Sequence, residues 1–255
     1  MLEEIYQKPI NNFNVRNIIP EYNADHILAK DPLVSLKDYH ISGQNYYART
    51  DKLNYPYCKT ISSFQELLSR KTVAEKLVRI NEKANKYGLE LFVFDAFRPI
   101  DTQIKLWNHF VSEAQKTAKN YQEAEEIAQT YCFPPNNFDK SNPLTHPVHS
   151  TGGAVDLTLR FIKTKEQLFM GSIFDEDSAV SAAMWFEHKQ GTSDLSKSDI
   201  AALYNRRILH HFMIEEDFAA NPNEWWHFDY GTSLWAKSSL NQSENNLFFY
   251  QTALF

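Results

Sequence analysis

The stretch that most constrains this chain is His149-Ser-Thr-Gly-Gly-Ala-Val-Asp156, which sets two metal-ligand side chains on a turn followed by a strand. Val155, Leu157 and Leu159 alternate with Asp156 and Thr158, the period-two pattern of a strand with one face to a core. The apolar set turns inward, which leaves Asp156 and Thr158 on the other face. Gly152 and Gly153 permit a tight turn and a close backbone approach beside His149. Such a pair makes two thirds of a zinc site, and another part of the chain has to supply the rest.

The 255 residues are 43% hydrophobic and 14% aromatic, enough for a sizeable core, and no linker, low-complexity tract or repeat divides them. The economical reading is one domain over 1–255, with an irregular segment over about 1–60 and a tail over about 232–255 packed on it. The net charge is −6, with acids and bases interspersed and no long basic block, which argues against a nucleic-acid partner. No apolar run approaches the roughly 20 residues needed to span a bilayer, so no membrane partner is expected. The opening Met-Leu-Glu-Glu-Ile-Tyr is not a secretory signal. Cys58 and Cys132 make neither a disulfide framework nor a thiolate zinc site. They read as reduced, and the compartment as cytoplasmic (periplasmic if a signal has been removed).

Along the chain, Asn45-Tyr-Tyr-Ala-Arg reads as a short strand. Tyr39, Tyr46, Tyr47, Tyr55 and Tyr57 divide between lining a pocket and covering a core edge, the second role fitting most of them. Ser63-Phe-Gln-Glu66 and Thr72-Val-Ala-Glu75 have the capping-box form, and Val73, Leu77, Ile80 and Ala84 make one apolar face. Together they predict a helix over about 63–87, broken near Lys71 and stopped at Gly88. Leu89-Glu-Leu-Phe-Val-Phe-Asp95 predicts a central strand. It runs into Asp95-Ala-Phe-Arg98-Pro99, where Pro99 suits the first turn of a helix and Arg98 sits on a strand-to-helix turn. Helices are expected over about 121–131, through Trp185 and Phe186, and from Ser196 to about His211, with a long polar loop through Pro147 between the first two. Glu224-Trp-Trp-His227-Phe-Asp-Tyr-Gly231 reads as an aromatic strand closed by glycine.

A catalytic zinc keeps three protein ligands and leaves a fourth position open. His149 and Asp156 offer two, and Glu224-x-x-His227 offers a third with a spare carboxylate. On a flat strand positions 224 and 227 face opposite ways, so Glu224 has to precede the strand or sit on a bulge. From there it would serve as general base toward a metal-activated water. His146-Pro-Val-His149 is a rival metal pair, and Trp225 and Trp226 read equally well as core. His26, His40, His109, His188, His210 and His211 read as surface or core.

Asp95-Ala-Phe-Arg98-Pro99, His149-Ser-Thr-Gly-Gly-Ala-Val-Asp156, Met170-Gly-Ser-Ile-Phe-Asp175 and Glu224-Trp-Trp-His227 occur in this order. The combination, over about 35–235, resembles the zinc D-alanyl-D-alanine dipeptidases, the vancomycin-resistance dipeptidase family of the zinc D-Ala-D-Ala metallopeptidases. The resemblance implies an α+β fold, a small, largely antiparallel sheet flanked by helices (the hedgehog/DD-peptidase-like fold). It implies one Zn2+ per chain held by His149, Asp156 and His227, with Glu224 as general base and Arg98 stabilising the tetrahedral intermediate. On the substrate side it implies Asp175 as receiver of the dipeptide ammonium and Asp95 as the group that orients Arg98. The family usually has Ser-x-His at the first ligand, whereas Pro147-Val-His149 stands here, so Ser150 or Thr151 would have to replace the missing hydroxyl. The stretch over about 115–147 also looks longer than the family minimum. The expected function is zinc-dependent hydrolysis of a small dipeptide, D-Ala-D-Ala. Its rivals are a related D,D-carboxypeptidase or endopeptidase acting on stem peptides, and a non-catalytic relative that binds zinc or a wall ligand. A homo-oligomer is left open.

Overall fold

The structure, a computed structural model, describes residues 2–130, 132–240 and 246–253. Its first part runs α1 (Leu2–Gln7), β1 (Glu21–Tyr22), β2 (Leu33–Ser35), β3 (Ser42–Gly43) and β4 (Leu68–Arg70). The middle contains α2 (Lys71–Asn85), β5 (Leu89–Asp95), α3 (Ile100–Ala114), α4 (Tyr121–Ala128) and β6 (Ala154–Phe161). The last part contains α5 (Trp185–Gln190), α6 (Lys197–Ile214), β7 (Ala219–Asn221), β8 (Glu224–Asp229), α7 (Ser233–Lys237) and β9 (Leu247–Phe248).

Five strands form the main sheet in the order β3-β5-β6-β8-β7, parallel only between β3 and β5. The fold is therefore α+β with a largely antiparallel sheet, as expected. β6 lies at the centre, which explains why its polar positions are buried too: Asp156 and Thr158 are as inaccessible as Val155 and Leu157. Helices α2 and α6 pack on the sheet and on each other. Their apolar stripes (Val73, Leu77 and Ile80; Ile208, Leu209 and Phe212) join Leu91, Val93, Leu157 and Leu159 in one buried cluster. Full burial of each such side chain contributes about 1.5–3 kcal/mol.

Three local expectations were overruled. Residues 63–67 are not helical, and the predicted helix begins only at Lys71 because β4 pairs antiparallel with β2 ahead of it. Thr72 does not cap that helix; instead its own N–H donates to the Asp31 carboxylate at 2.8 Å, a cap supplied from a distant segment. The stretch after Asn45 is a 3-10 turn over Tyr46–Ala48 rather than a strand, closed by the Asn45 side chain accepting from the Tyr47 N–H. Elsewhere the local signals held. Ser196 and Asp199 form a complete capping box on α6, and Tyr121–Ala128 is helical, although Tyr131 lies outside the described residues.

In the tail over 246–253, β9 pairs with β1, and Phe248, Phe249 and Tyr250 are buried. Residues 241–245, 254 and 255 of the expected tail lie outside the described residues. The tail also braces the turn before β6, since Ala253 N–H donates to the Ser150 carbonyl and Thr252 N–H to His146 Nδ1. With its other ring nitrogen on the Asp139 carbonyl, His146 is held as a structural residue. Among the described residues no helix is long and apolar enough to cross a membrane.

Candidate active site

Three adjacent strands bring an acid, a second acid and a histidine into one row. Asp95 on β5 lies opposite Asp156 on β6, and Asp156 lies opposite His227 on β8. Directly opposed residues of paired strands share a face, and a slip in the β5–β6 pairing between Val93 and Asp95 sets Asp95, rather than Phe94, across from Asp156. His149 enters from a 3-10 turn, Val148–Thr151, that is closed by Gly152 in the left-handed region at φ 75°. A side chain at Gly153 would meet the Tyr230 carbonyl at 2.6 Å, so the close approach of this turn to the end of β8 requires a glycine.

The ligand-type atoms of His149, Asp156 and His227 lie within 4.8 Å of one another, and all three residues are buried. His149 Nε2 is 3.3 Å from Asp156 Oδ2 and 3.2 Å from His227 Nδ1, which in turn is 3.0 Å from Asp156 Oδ1. The remaining ring nitrogens are both engaged. His149 Nδ1 is 3.0 Å from the Ala96 carbonyl, and His227 Nε2 is 2.9 Å from Asp229 Oδ2. Outer partners of this kind orient metal-ligating imidazoles and raise their basicity. Burial alone would lower the His227 pKa, but Asp229 and Asp156 outweigh it and hold the ring well above the ordinary imidazole value. Burial likewise pushes Asp156 up, yet His149 and His227 bring it below the usual carboxylate range. The spot thus favours a positive charge beside an ionised carboxylate. Two imidazole nitrogens and a carboxylate oxygen fit zinc, and the set has room for a further ligand.

Asp229 was missed by sequence reading, although it stands two residues beyond His227 on one strand and so on the same face. Its other oxygen accepts from the Thr232 hydroxyl at 2.7 Å. Replacing Asp229 by Asn is expected to weaken zinc binding by about 10–100-fold while the fold persists. Competition with a chelator measures it, and unchanged affinity would show that the carboxylate is not tuning His227.

Glu224 opens β8 where its pairing with β7 slips between Ala220 and Asn221. This irregularity lets Glu224 share a site with His227: its Oε2 lies 3.6 Å from His227 Nδ1 and accepts from Asn221 Nδ2 at 3.0 Å. Burial raises the Glu224 pKa against the pull of His227.

Arg98 is 9% exposed and held from several sides. Its Nε donates to Asp95 Oδ2 at 2.9 Å, its Nη1 to Gln103 Oε1 at 3.1 Å, and its Nη2 to the Tyr47 hydroxyl at 3.2 Å. Asp95 also approaches His149 Nδ1 at 3.3 Å, so this one buried carboxylate serves both the arginine and the histidine. The Tyr47 hydroxyl in turn donates to Asp175 Oδ2 at 2.8 Å, and Tyr57 donates to the same oxygen at 3.0 Å. Burial, reinforced by the Asp156 charge, raises Asp175 to about 7. The loop that carries Asp175 is stapled by Arg206, whose guanidinium donates to the carbonyls of Met170, Ala182 and Val180. Tyr47 and Tyr57 therefore have the pocket role, whereas Tyr46 and Tyr39 pack on the core and Tyr55 is exposed.

Arg98, His149, Asp156, Asp175, Glu224 and His227 all line one cavity of about 160 Å³. Ser150 and Thr151, expected in the substrate pocket, are not among the residues that line this cavity. Their hydroxyls are turned away to donate to the carbonyls of Arg98 and Val148, and thereby hold the turn. Pro147 lines the cavity where the resemblance leads one to expect a serine nearby. Asp95 likewise lies behind Arg98 rather than on the cavity wall. Cys132 and Phe133, from the 115–147 stretch, complete the wall. Burial pushes the Cys132 thiol up to about 12, so it is protonated and no nucleophile. Among the described residues both Cys132 and Cys58 are free of disulfides.

The D-Ala-D-Ala dipeptidase family profile matches residues 36–245. The chain belongs to this family. It is 34% identical over 158 residues to a D-alanyl-D-alanine dipeptidase of Synechocystis, covering 58% of this chain and 62% of that protein. A D-alanyl-D-alanine dipeptidase of Streptomyces coelicolor is 27% identical over 165 residues, covering 64% and 72% respectively. One from Enterococcus faecium is 27% identical over 162 residues, covering 61% and 69%.

Proposed function

We propose that this chain is a zinc-dependent dipeptidase that cleaves D-Ala-D-Ala. The observation that carries the reading is the convergence of a three-ligand metal set, a spare carboxylate, a fixed guanidinium and a second carboxylate on one small cavity. A volume of about 160 Å³ is well under the roughly 300–1,000 Å³ of typical ligand pockets, which favours a very small substrate.

His149, Asp156 and His227 would hold the zinc. When bound, zinc supplies Lewis-acid polarisation of the scissile carbonyl and lowers the pKa of water to about 7. Glu224 takes the proton of the attacking water and returns it to the departing amine. Arg98 offers its guanidinium donors to the developing oxyanion, a service that costs little reorganisation because Asp95, Tyr47 and Gln103 already fix the side chain. Asp175 receives the free ammonium of the dipeptide, aided by the tyrosine hydroxyls that orient its carboxylate.

A specific observation favours a second reading, in which the substrate continues beyond Asp175. A larger cavity of about 450 Å³ shares Phe110, Asp175, Glu224 and Trp226 with the first. Zinc-loaded protein should be assayed on D-Ala-D-Ala and on its N-acylated form, each with and without chelator. Chelator-sensitive cleavage of the free dipeptide alone is the expected result. Cleavage only of the acylated form would replace the dipeptidase by a carboxypeptidase, and no cleavage of either would make the chain a binding relative.

A further inference from the structure

We infer that Gln103 is a positioning residue for the reaction, fixing the plane of the Arg98 guanidinium through Nη1 and tying it to the cavity wall at Cys132 and Phe133. The inference rests on the proposed role of Arg98. Asp95 Oδ2 accepts from Nε of Arg98 and lies 2.8 Å from its Nη2, at one edge of the guanidinium. Gln103 accepts from Nη1, on the opposite branch of the fork. Held at both branches, a planar group cannot swing about its Nε bond, and its donors are set before substrate arrives.

The amide of Gln103 is itself oriented. Its Nε2 donates to the Phe133 carbonyl at 3.0 Å and to Cys132 Sγ at 3.1 Å, so the amide oxygen faces Arg98. Gln103 is only 2% exposed and sits near the start of α3, where its backbone N–H is bonded to the Pro99 carbonyl. Few rotamers remain open to it. Neither half of the amide could be exchanged for the other, since reversal would set two acceptors face to face at Phe133 and two donors at Arg98. The neutral thiol of Cys132 fits this arrangement as a soft acceptor. The wall that Cys132 and Phe133 form, which Pro147 and Val148 continue, is thereby mechanically linked to the arginine.

The test compares Gln103→Met, which keeps the shape without either polar function, with Gln103→Glu, which keeps an acceptor for Arg98 but loses the amide donors. Arg98→Lys serves as the reference. Hydrogen bonds to charged groups carry enough free energy that Gln103→Met should lower kcat by about 10–100-fold with KM changed by less than about twofold. Affinity for a tetrahedral phosphinate analogue of the dipeptide should fall by a similar factor, whereas zinc content should not change. Gln103→Glu should retain more kcat than Gln103→Met. Unchanged kcat and unchanged phosphinate affinity in Gln103→Met, beside a large loss in Arg98→Lys, would overturn the role of Gln103 alone. Equal losses in both Gln103 variants, tracking a lowered melting temperature, would make the residue structural and also overturn it. If Arg98→Lys keeps full kcat, the role of Arg98 fails and this inference falls with it.

Discussion

Glu224→Gln is expected to lower kcat by about 10²–10⁴-fold, the usual contribution of a positioned acid–base group, while zinc still binds. The substitution keeps the side-chain volume but removes the negative charge and with it the ability to take a proton. Glu224 is not one of the three converging ligand residues, and its Oε2 is 3.6 Å from His227 Nδ1, beside the metal set rather than at its centre. Its bond with Asn221 can survive in the amide after rotation, so little stability should be lost. Initial rates on D-Ala-D-Ala measured together with metal analysis decide the matter. Wild-type turnover in the Glu224→Gln variant would remove the general base from the proposed mechanism, and loss of its zinc would move Glu224 into the ligand set.

The second large effect is expected of Asp156→Asn. This carboxylate faces His149, His227 and Arg98 at once, at 3.3, 3.0 and 3.7 Å. Neutralising it removes the proposed anionic ligand and takes away the second carboxylate beside the guanidinium, leaving Asp95. Zinc affinity should fall by more than the roughly 10–100-fold expected for an outer partner such as Asp229, and turnover should vanish with it. The amide retains the shape of the side chain, so the near-ultraviolet circular dichroism of the surrounding aromatics should be preserved. Zinc retained at native affinity would exclude Asp156 as a ligand.

How far the site was legible follows from the range over which each feature is encoded. The His149–Asp156 pair and the Glu224–His227 pair are local patterns whose strand and turn signals were correct. The requirement that Glu224 sit at an irregularity was also legible, because strand alternation forbids the alternative, and the slip in the β7–β8 pairing meets it. Asp229 could have been found by the same alternation. Gln103 and Arg206 could not, and sequence alone did not separate Tyr47 from the other candidate tyrosines. Each is an ordinary residue whose partner is chosen by which loop or helix packs beside it. The capping signature at Ser63 failed for a related reason. A cap adds on the order of 1 kcal/mol, which the pairing of β2 with β4 can outweigh.

By itself, the sequence determined the strands and turn that carry the candidate ligands and the broad α+β character, because short-range periodicity and side-chain chemistry encode these. Only the tertiary structure decided that Asp95, Asp156 and His227 stand in one row, that Ser150 and Thr151 face away from the cavity, and that Arg98 is gripped at both branches. Those facts depend on the register between strands far apart in the chain. A shift of one residue there would leave every local motif intact and turn its side chain to the opposite face.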